Sequence, residues 1–222
     1  MTVVLIAVNV LLFFYELSLG PHLEAFMLSS AFVPARLFDD GAIYASEIGP
    51  EARSALLSMF LHGGWGHLLG NMLFLWVFGD NIEDRLGHLR YLLFYLLAGY
   101  AATIAHAWSA PFSMLPAVGA SGAISGVLGA YLFLHPKARI VTVIWFFIFI
   151  RFIQIPAIVY LPIWFALQLF SGVASLTTAT ADNAGGVAWF AHIGGFVAGP
   201  VLLALLGGFR KQRRPATAPG LR

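Results

Sequence analysis

Six apolar stretches, each close to the length of a membrane crossing, recur through this chain at residues 3–19, 64–81, 88–107, 117–134, 156–171 and 189–209. A helix needs about 20 apolar residues to cross a hydrocarbon core about 30 Å thick. That repetition limits the fold more than any motif does. Composition agrees, since only 10% of the residues are charged against about 25% in a soluble domain. The reading is an all-α membrane protein, a six-transmembrane-helix bundle over residues 1–209. No linker divides it. Residues 210–222, RKQRRPATAPGLR, read as a basic, disordered tail.

The connection at 20–54 holds many of the acidic residues around an apolar middle, AFMLSSAFVPARLF. It is too polar and too broken to cross, so it is expected to lie partly embedded in the interface. The segment IVTVIWFFIFIRFIQI, residues 140–155, is apolar enough to tempt a seventh crossing, but it is short, β-branched and interrupted by Arg151. It is read as an interfacial lead into the fifth span. The first span has no basic n-region and reads as a retained span rather than a cleaved signal. With no cysteine in the chain, disulfides and thiolate metal sites are excluded.

Arginine and lysine mark the cytoplasmic side. Six spans put ten of the twelve basic residues on one side, Arg36 and Arg53 alone on the other. Both termini are therefore expected in the cytoplasm, with the bacterial inner membrane as the default because no transit peptide is visible. A basic run at a membrane boundary needs no nucleic-acid partner. The second, fourth and sixth spans all run from outside to inside.

Polar residues on those three spans share a depth. Ser121 lies 16 residues before Lys137, and His192 lies 18 before Arg210. His67 and Asn71 lie 18 and 14 before Arg85. At about 1.5 Å per residue these sit roughly 21–27 Å above the inner boundary, a few ångströms below the outer surface. Polar side chains there are costly unless they face one another or water. Gly66/Gly70, Gly122/Gly126 and Gly195/Gly199 form small-residue pairs that let backbones approach closely. The fourth and sixth spans can then bring Ser121 near His192.

A serine hydroxyl needs an adjacent base to act as a nucleophile, and a neutral imidazole serves. No acidic residue shares the layer, and Asp182 sits in an outside loop, so the expected unit is a Ser–His dyad. His67 and Asn71 share a helix face. With the backbone N–H of Ser121 they are the expected oxyanion donors. Packing alone also accounts for a serine between glycines. Ser125 is the alternative serine, one turn deeper. His106 and His135, near span ends, read as interfacial, and His22 and His88 as loop residues.

LHGGWGHLLGNMLFLWVFG, GASG and AHIGGFVAG together resemble the three signatures of rhomboid intramembrane serine proteases, over about residues 53–207. The resemblance implies a rhomboid-like fold with a partly embedded first loop. It implies Ser121 as nucleophile, His192 as base, His67 and Asn71 on the oxyanion side and His62 in a structural role. Glu83 and Arg85 resemble a structural cytoplasmic-loop motif, and TTATADNAGGVAW a mobile cap over the site. Implied substrates are single-span membrane proteins, cut without cofactor or metal. Where some rhomboids stack a tyrosine on the histidine, this chain has Ser125, and another ring such as Trp189 is expected to help. A Trp-Arg pair that some members carry is also missing, with Arg53 one place early. Competing readings are an inactive rhomboid-like protein that binds membrane clients, a metal-dependent hydrolase using His62, His67 and His192, and a transporter. HExxH is absent and no internal repeat is visible, which weighs against the last two.

Overall fold

The computed structural model describes residues 1–38, 48–146, 149–178 and 188–209. The basic tail, Asp182 and most of the expected cap lie outside them. Helix α1 spans Thr2–Ser18, and after a 3-10 turn at Gly20–His22 the chain continues as α2, Leu23–Ser30. The two helices meet at a bend of 108°, so the first connection turns away instead of extending the span. Short helices α3, Pro34–Phe38, and α4, Ile48–Ser58, complete it. Ala31, Phe32 and Val33 are buried, so part of the connection is sunk into the protein.

Helix α5 spans Trp65–Leu86 and α6 spans His88–Ser109. One residue separates them, Gly87, at φ +79°. Only glycine holds that conformation without a Cβ penalty, so a one-residue reversal needs it. Helix α7 spans Ser121–Leu134, α8 spans Ala157–Thr178 and α9 spans Trp189–Leu205. By length and composition α6 and α8 suffice to cross a membrane, with α1 and α2 a third crossing if the bent pair counts as one. Helices α7 and α9 are apolar but shorter.

The all-α expectation fails between α7 and α8. Strands β1, Arg139–Phe146, and β2, Phe149–Pro156, form an antiparallel hairpin. Its pairing sets Val143 beside Phe152 and Ile144 beside Arg151. The unbroken β-branched run Ile140–Ile144 fits a pleated strand better than a helix. A two-stranded sheet has open edges whose N–H and C=O groups cannot be left bare in hydrocarbon. Residues 140–155 therefore turn back as a hairpin, with Val141, Val143, Ile150 and Phe152 exposed.

Helix α7 lies at the centre, buried from Gly122 to Tyr131 and packed on α9, α6, α5 and α8, while α9 also packs on α6 and α8, and α1 on α5. Glycine explains how closely. A Cβ at Gly195 would collide with the carbonyl oxygen of Gly122, and one at Gly199 with that of Gly126. On the other face of α7, a Cβ at Gly122 would lie 2.6 Å from Ala102 Cβ, and one at Gly126 2.6 Å from Ala98 Cβ. The expected third pair behaves differently, since nothing lies within 4 Å of a Cβ at Gly66 or Gly70. Those two glycines line a cavity instead of a helix contact.

The outward faces are apolar at helical spacing, with Leu69, Leu73 and Trp76 on α5, Ile163, Leu167 and Phe170 on α8, and Val197, Val201 and Leu205 on α9 all exposed. A continuous apolar surface of that kind fits lipid rather than water. At the far end of α5, Glu83 accepts from the Thr2 backbone N–H at 2.6 Å and contacts the Met1 amino group and His88. Arg85 donates to the Gly208 carbonyl. Both residues therefore tie helix ends together, as expected of a structural motif.

Candidate active site

The loop that carries the chain into α7 is pinned from below. Ala117 N–H donates to Phe32 O at 2.8 Å, and Gly119 N–H to Ser58 O at 2.8 Å. The partly embedded connection thus fixes where Ser121 begins its helix. Gly119 has φ +126°, and a Cβ there would lie 2.6 Å from the His67 ring. The backbone conformation and the close ring both require glycine at this position.

Ser121 is the first residue of α7, His67 the third of α5 and His192 the fourth of α9. Three helix N-termini therefore converge. Their first N–H groups have no intrahelical acceptor, and the aligned peptide dipoles make such ends partly positive. Ser121 Oγ lies 2.8 Å from His192 Nε2. The other ring nitrogen, Nδ1, lies 2.7 Å from Gln168 Oε1 on α8. Trp164, one turn before Gln168, tilts over the imidazole at 6.1 Å between centroids, and Trp189 meets it edge-on at 6.2 Å.

A cavity of about 630 Å³ opens over this cluster. Its lining includes His67, Asn71, Ser121, Gln168, Trp189 and His192. The polar residues expected at one depth thus share one cavity. Asn71 is buried, and its Nδ2 has no hydrogen-bond partner. A buried amide donor left unmade costs about 1–3 kcal/mol. Such a cost is tolerated where the donor is held for a ligand. Ser125 is 1% exposed and donates to Ser121 O at 2.7 Å. Its hydroxyl is committed to a carbonyl of its own helix.

His62 supports the site from behind. Its ring meets His67 edge-on at 5.2 Å. Its backbone N–H points at both carboxylate oxygens of Glu16, at 3.2 and 3.3 Å, so α1 holds the strand of chain that delivers His67. His135 stands against Tyr131 at the end of α7. His106, near the end of α6, is half-buried and lines the same cavity.

Sequence reasoning missed Gln168. It sought a carboxylate to orient the base, and depth counting pointed elsewhere. Eleven residues above Ala157, at about 1.5 Å each, Gln168 counts to roughly a turn below Ser121. Tilted helices and a long side chain close that gap. The available signal was a lone amide in IWFALQLF, which inside a membrane must find a polar partner.

The family model of the rhomboid domain matches residues 50–209. Rhomboid protease GluP of Bacillus subtilis (strain 168) is 38% identical over 152 residues, covering 68% of this chain and 25% of that protein. RHOMBOID-like protein 4 of Arabidopsis thaliana is 35% identical over 154 residues, covering 69% and 34%. Rhomboid protein 1, mitochondrial, of Saccharomyces cerevisiae (strain ATCC 204508 / S288c) is 36% identical over 91 residues, covering 39% and 26%. The chain spans between a quarter and about a third of the length of these relatives. The matched region contains every side chain of the cluster from His67 to His192, and the chain belongs to the rhomboid family of integral membrane proteins.

Proposed function

We propose that this chain is an intramembrane serine endopeptidase that cleaves single-span membrane proteins with Ser121 as nucleophile and His192 as base. The observation that carries the reading is the 2.8 Å contact between Ser121 Oγ and His192 Nε2 inside a cavity that His67, Asn71 and Gln168 also line. Similarity to a relative named a rhomboid protease supports it.

In this mechanism Ser121 Oγ attacks the scissile carbonyl carbon while Nε2 takes the hydroxyl proton. The tetrahedral oxygen gains a negative charge. Asn71 Nδ2, the His67 ring N–H and the Ser121 backbone N–H are the donors for it, at convergent helix N-termini that favour an anion. The C–N bond then breaks, and Nε2 returns its proton to the leaving amine. An acyl ester on Ser121 remains. Water, deprotonated by the same imidazole, attacks that ester and restores the hydroxyl.

Helices α1, α5, α6, α7, α8 and α9 are the six crossings in this reading. The N-terminal end of α1 and the C-terminal ends of α5, α7 and α9 face the cytoplasm. The hairpin and the basic tail at 210–222 lie on that side, and the catalytic cluster lies just inside the opposite face. Residues 1–209 form the transmembrane unit.

The test is cleavage of a model single-span substrate in detergent or liposomes by the wild type and by Ser121→Ala. Cleavage should vanish with Ser121→Ala, and a fluorophosphonate should label Ser121 in the wild type alone. Cleavage that survives Ser121→Ala refutes the nucleophile. A wild type that binds membrane proteins yet neither cuts them nor takes the label is a client-binding protein instead.

A further inference from the structure

We propose that Gln168 is a positioning residue for His192, its side-chain oxygen accepting the Nδ1 proton so that the Nε2 lone pair faces Ser121. The inference rests on the peptidase reading above and adds a third member to its dyad. A neutral imidazole carries one N–H and one lone pair, and which nitrogen holds the proton is set by the hydrogen bond the other makes. Gln168 Oε1 lies 2.7 Å from Nδ1, and Ser121 Oγ lies 2.8 Å from Nε2. The proton belongs on Nδ1 in that arrangement. The reverse amide orientation would donate to Nδ1, drive the proton onto Nε2, and leave His192 unable to accept from Ser121.

Helix α8 supplies more than the acceptor. Trp164 lies four residues before Gln168 and so on the same face, with its ring tilted across the imidazole. One helix thereby fixes both the azimuth of the ring and its tautomer. This answers the position where Ser125 replaces a stacking tyrosine. Gln168 carries no charge, so the imidazolium formed during attack meets a dipole rather than a carboxylate. The titratable side chains whose fields reach His192 are His67 on α5 and His106 on α6. Among the described residues, α7 and α8 bring the neutral Ser121, Trp164 and Gln168 to the ring.

The experiment compares kcat, KM and pH profiles of the wild type, Gln168→Met and Gln168→Glu on one single-span substrate, with Ser121→Ala as a parallel arm. Methionine keeps the length and removes the acceptor. It should lower kcat about tenfold to a hundredfold, less than the full 10²–10⁴ that general-base catalysis supplies, because the base itself remains, with KM unchanged within about a factor of two. Glutamate keeps the acceptor and adds a charge that favours the imidazolium. The acid limb of its profile should move up by about one pH unit or more. Wild-type kcat in Gln168→Met overturns the proposal, and so does a Gln168→Glu limb superimposed on the wild type. If Gln168→Glu does not fold, Gln168→Met decides alone. Cleavage by Ser121→Ala would defeat the peptidase reading itself. Loss there with no effect at Gln168 would defeat only the positioning role.

Discussion

Gly195 on α9 sits so close to the carbonyl oxygen of Gly122 on α7 that no side chain fits between the two helices. That approach sets the lateral distance between the helix that begins at Ser121 and the helix that carries His192. It repeats one turn down at Gly199 and Gly126.

Gly195→Leu should therefore cost at least the ~1–3 kcal/mol of an overpacked core, read as a lower midpoint of denaturant unfolding in detergent. Cleavage and fluorophosphonate labelling of Ser121 should fall together. Gly70→Ala is the contrast. Nothing lies within 4 Å of a Cβ there, and alanine is the better helix former by up to ~1 kcal/mol. Its unfolding midpoint should hold or rise. A loss at Gly70 equal to that at Gly195 would contradict the packing assigned to these glycines.

Asn71→Ala separates an oxyanion donor from a structural hydrogen bond. Its Nδ2 is buried without a partner, so removing it should leave stability unchanged or slightly improved. Loss of one oxyanion donor typically lowers kcat about 10²–10³-fold, and kcat should fall by that order with KM little affected. A variant that is less stable yet fully active would mark Asn71 as interhelical glue.

Ser125→Ala should keep most of the activity. The hydroxyl bonds to the Ser121 carbonyl within its own helix, a back-bond that contributes little to helix stability. Fluorophosphonate mass spectrometry should find the adduct on Ser121 in this variant. An adduct lost with Ser125→Ala and kept with Ser121→Ala would exchange the roles of the two serines.

Initial cleavage rates should rise from acid to neutral pH and then level off. The sign follows from the proton count on Nε2. Protonated His192 has no lone pair there and cannot accept from Ser121, so low pH removes the base. His67 and His106 are the other imidazoles whose charge reaches it, and protonating them also opposes a cation on His192. A rate that climbs as the pH is lowered would rule out this base, since protonation removes the Nε2 lone pair.

The rhomboid match over residues 50–209 agrees with the family resemblance read from HxxxN, GASG and AHxxG. Those motifs were legible because each is local. A serine flanked by glycines and two polar residues on one helix face need no tertiary information to be recognised. Shared depth was legible too, since the rise of a helix is constant and basic residues mark its inner end.

Four features depended on the third dimension. Arg151 and β-branching kept residues 140–155 from reading as a span, but their folding into the hairpin Arg139–Pro156 depends on pairing between two strands. Gly66 and Gly70 carry the same spacing as Gly195 and Gly199, yet one pair lines a cavity and the other seats a helix. His106 and Gln168 reach the site because α6 and α8 pack against α9, a neighbourhood that no count of residues along one helix contains. The sequence by itself determined which side chains must avoid lipid and how they are spaced along each helix, because hydrophobic transfer and helical rise act locally along the chain. Tertiary structure decided which of them touch, because the azimuth and tilt of each helix are set by its neighbours' shapes.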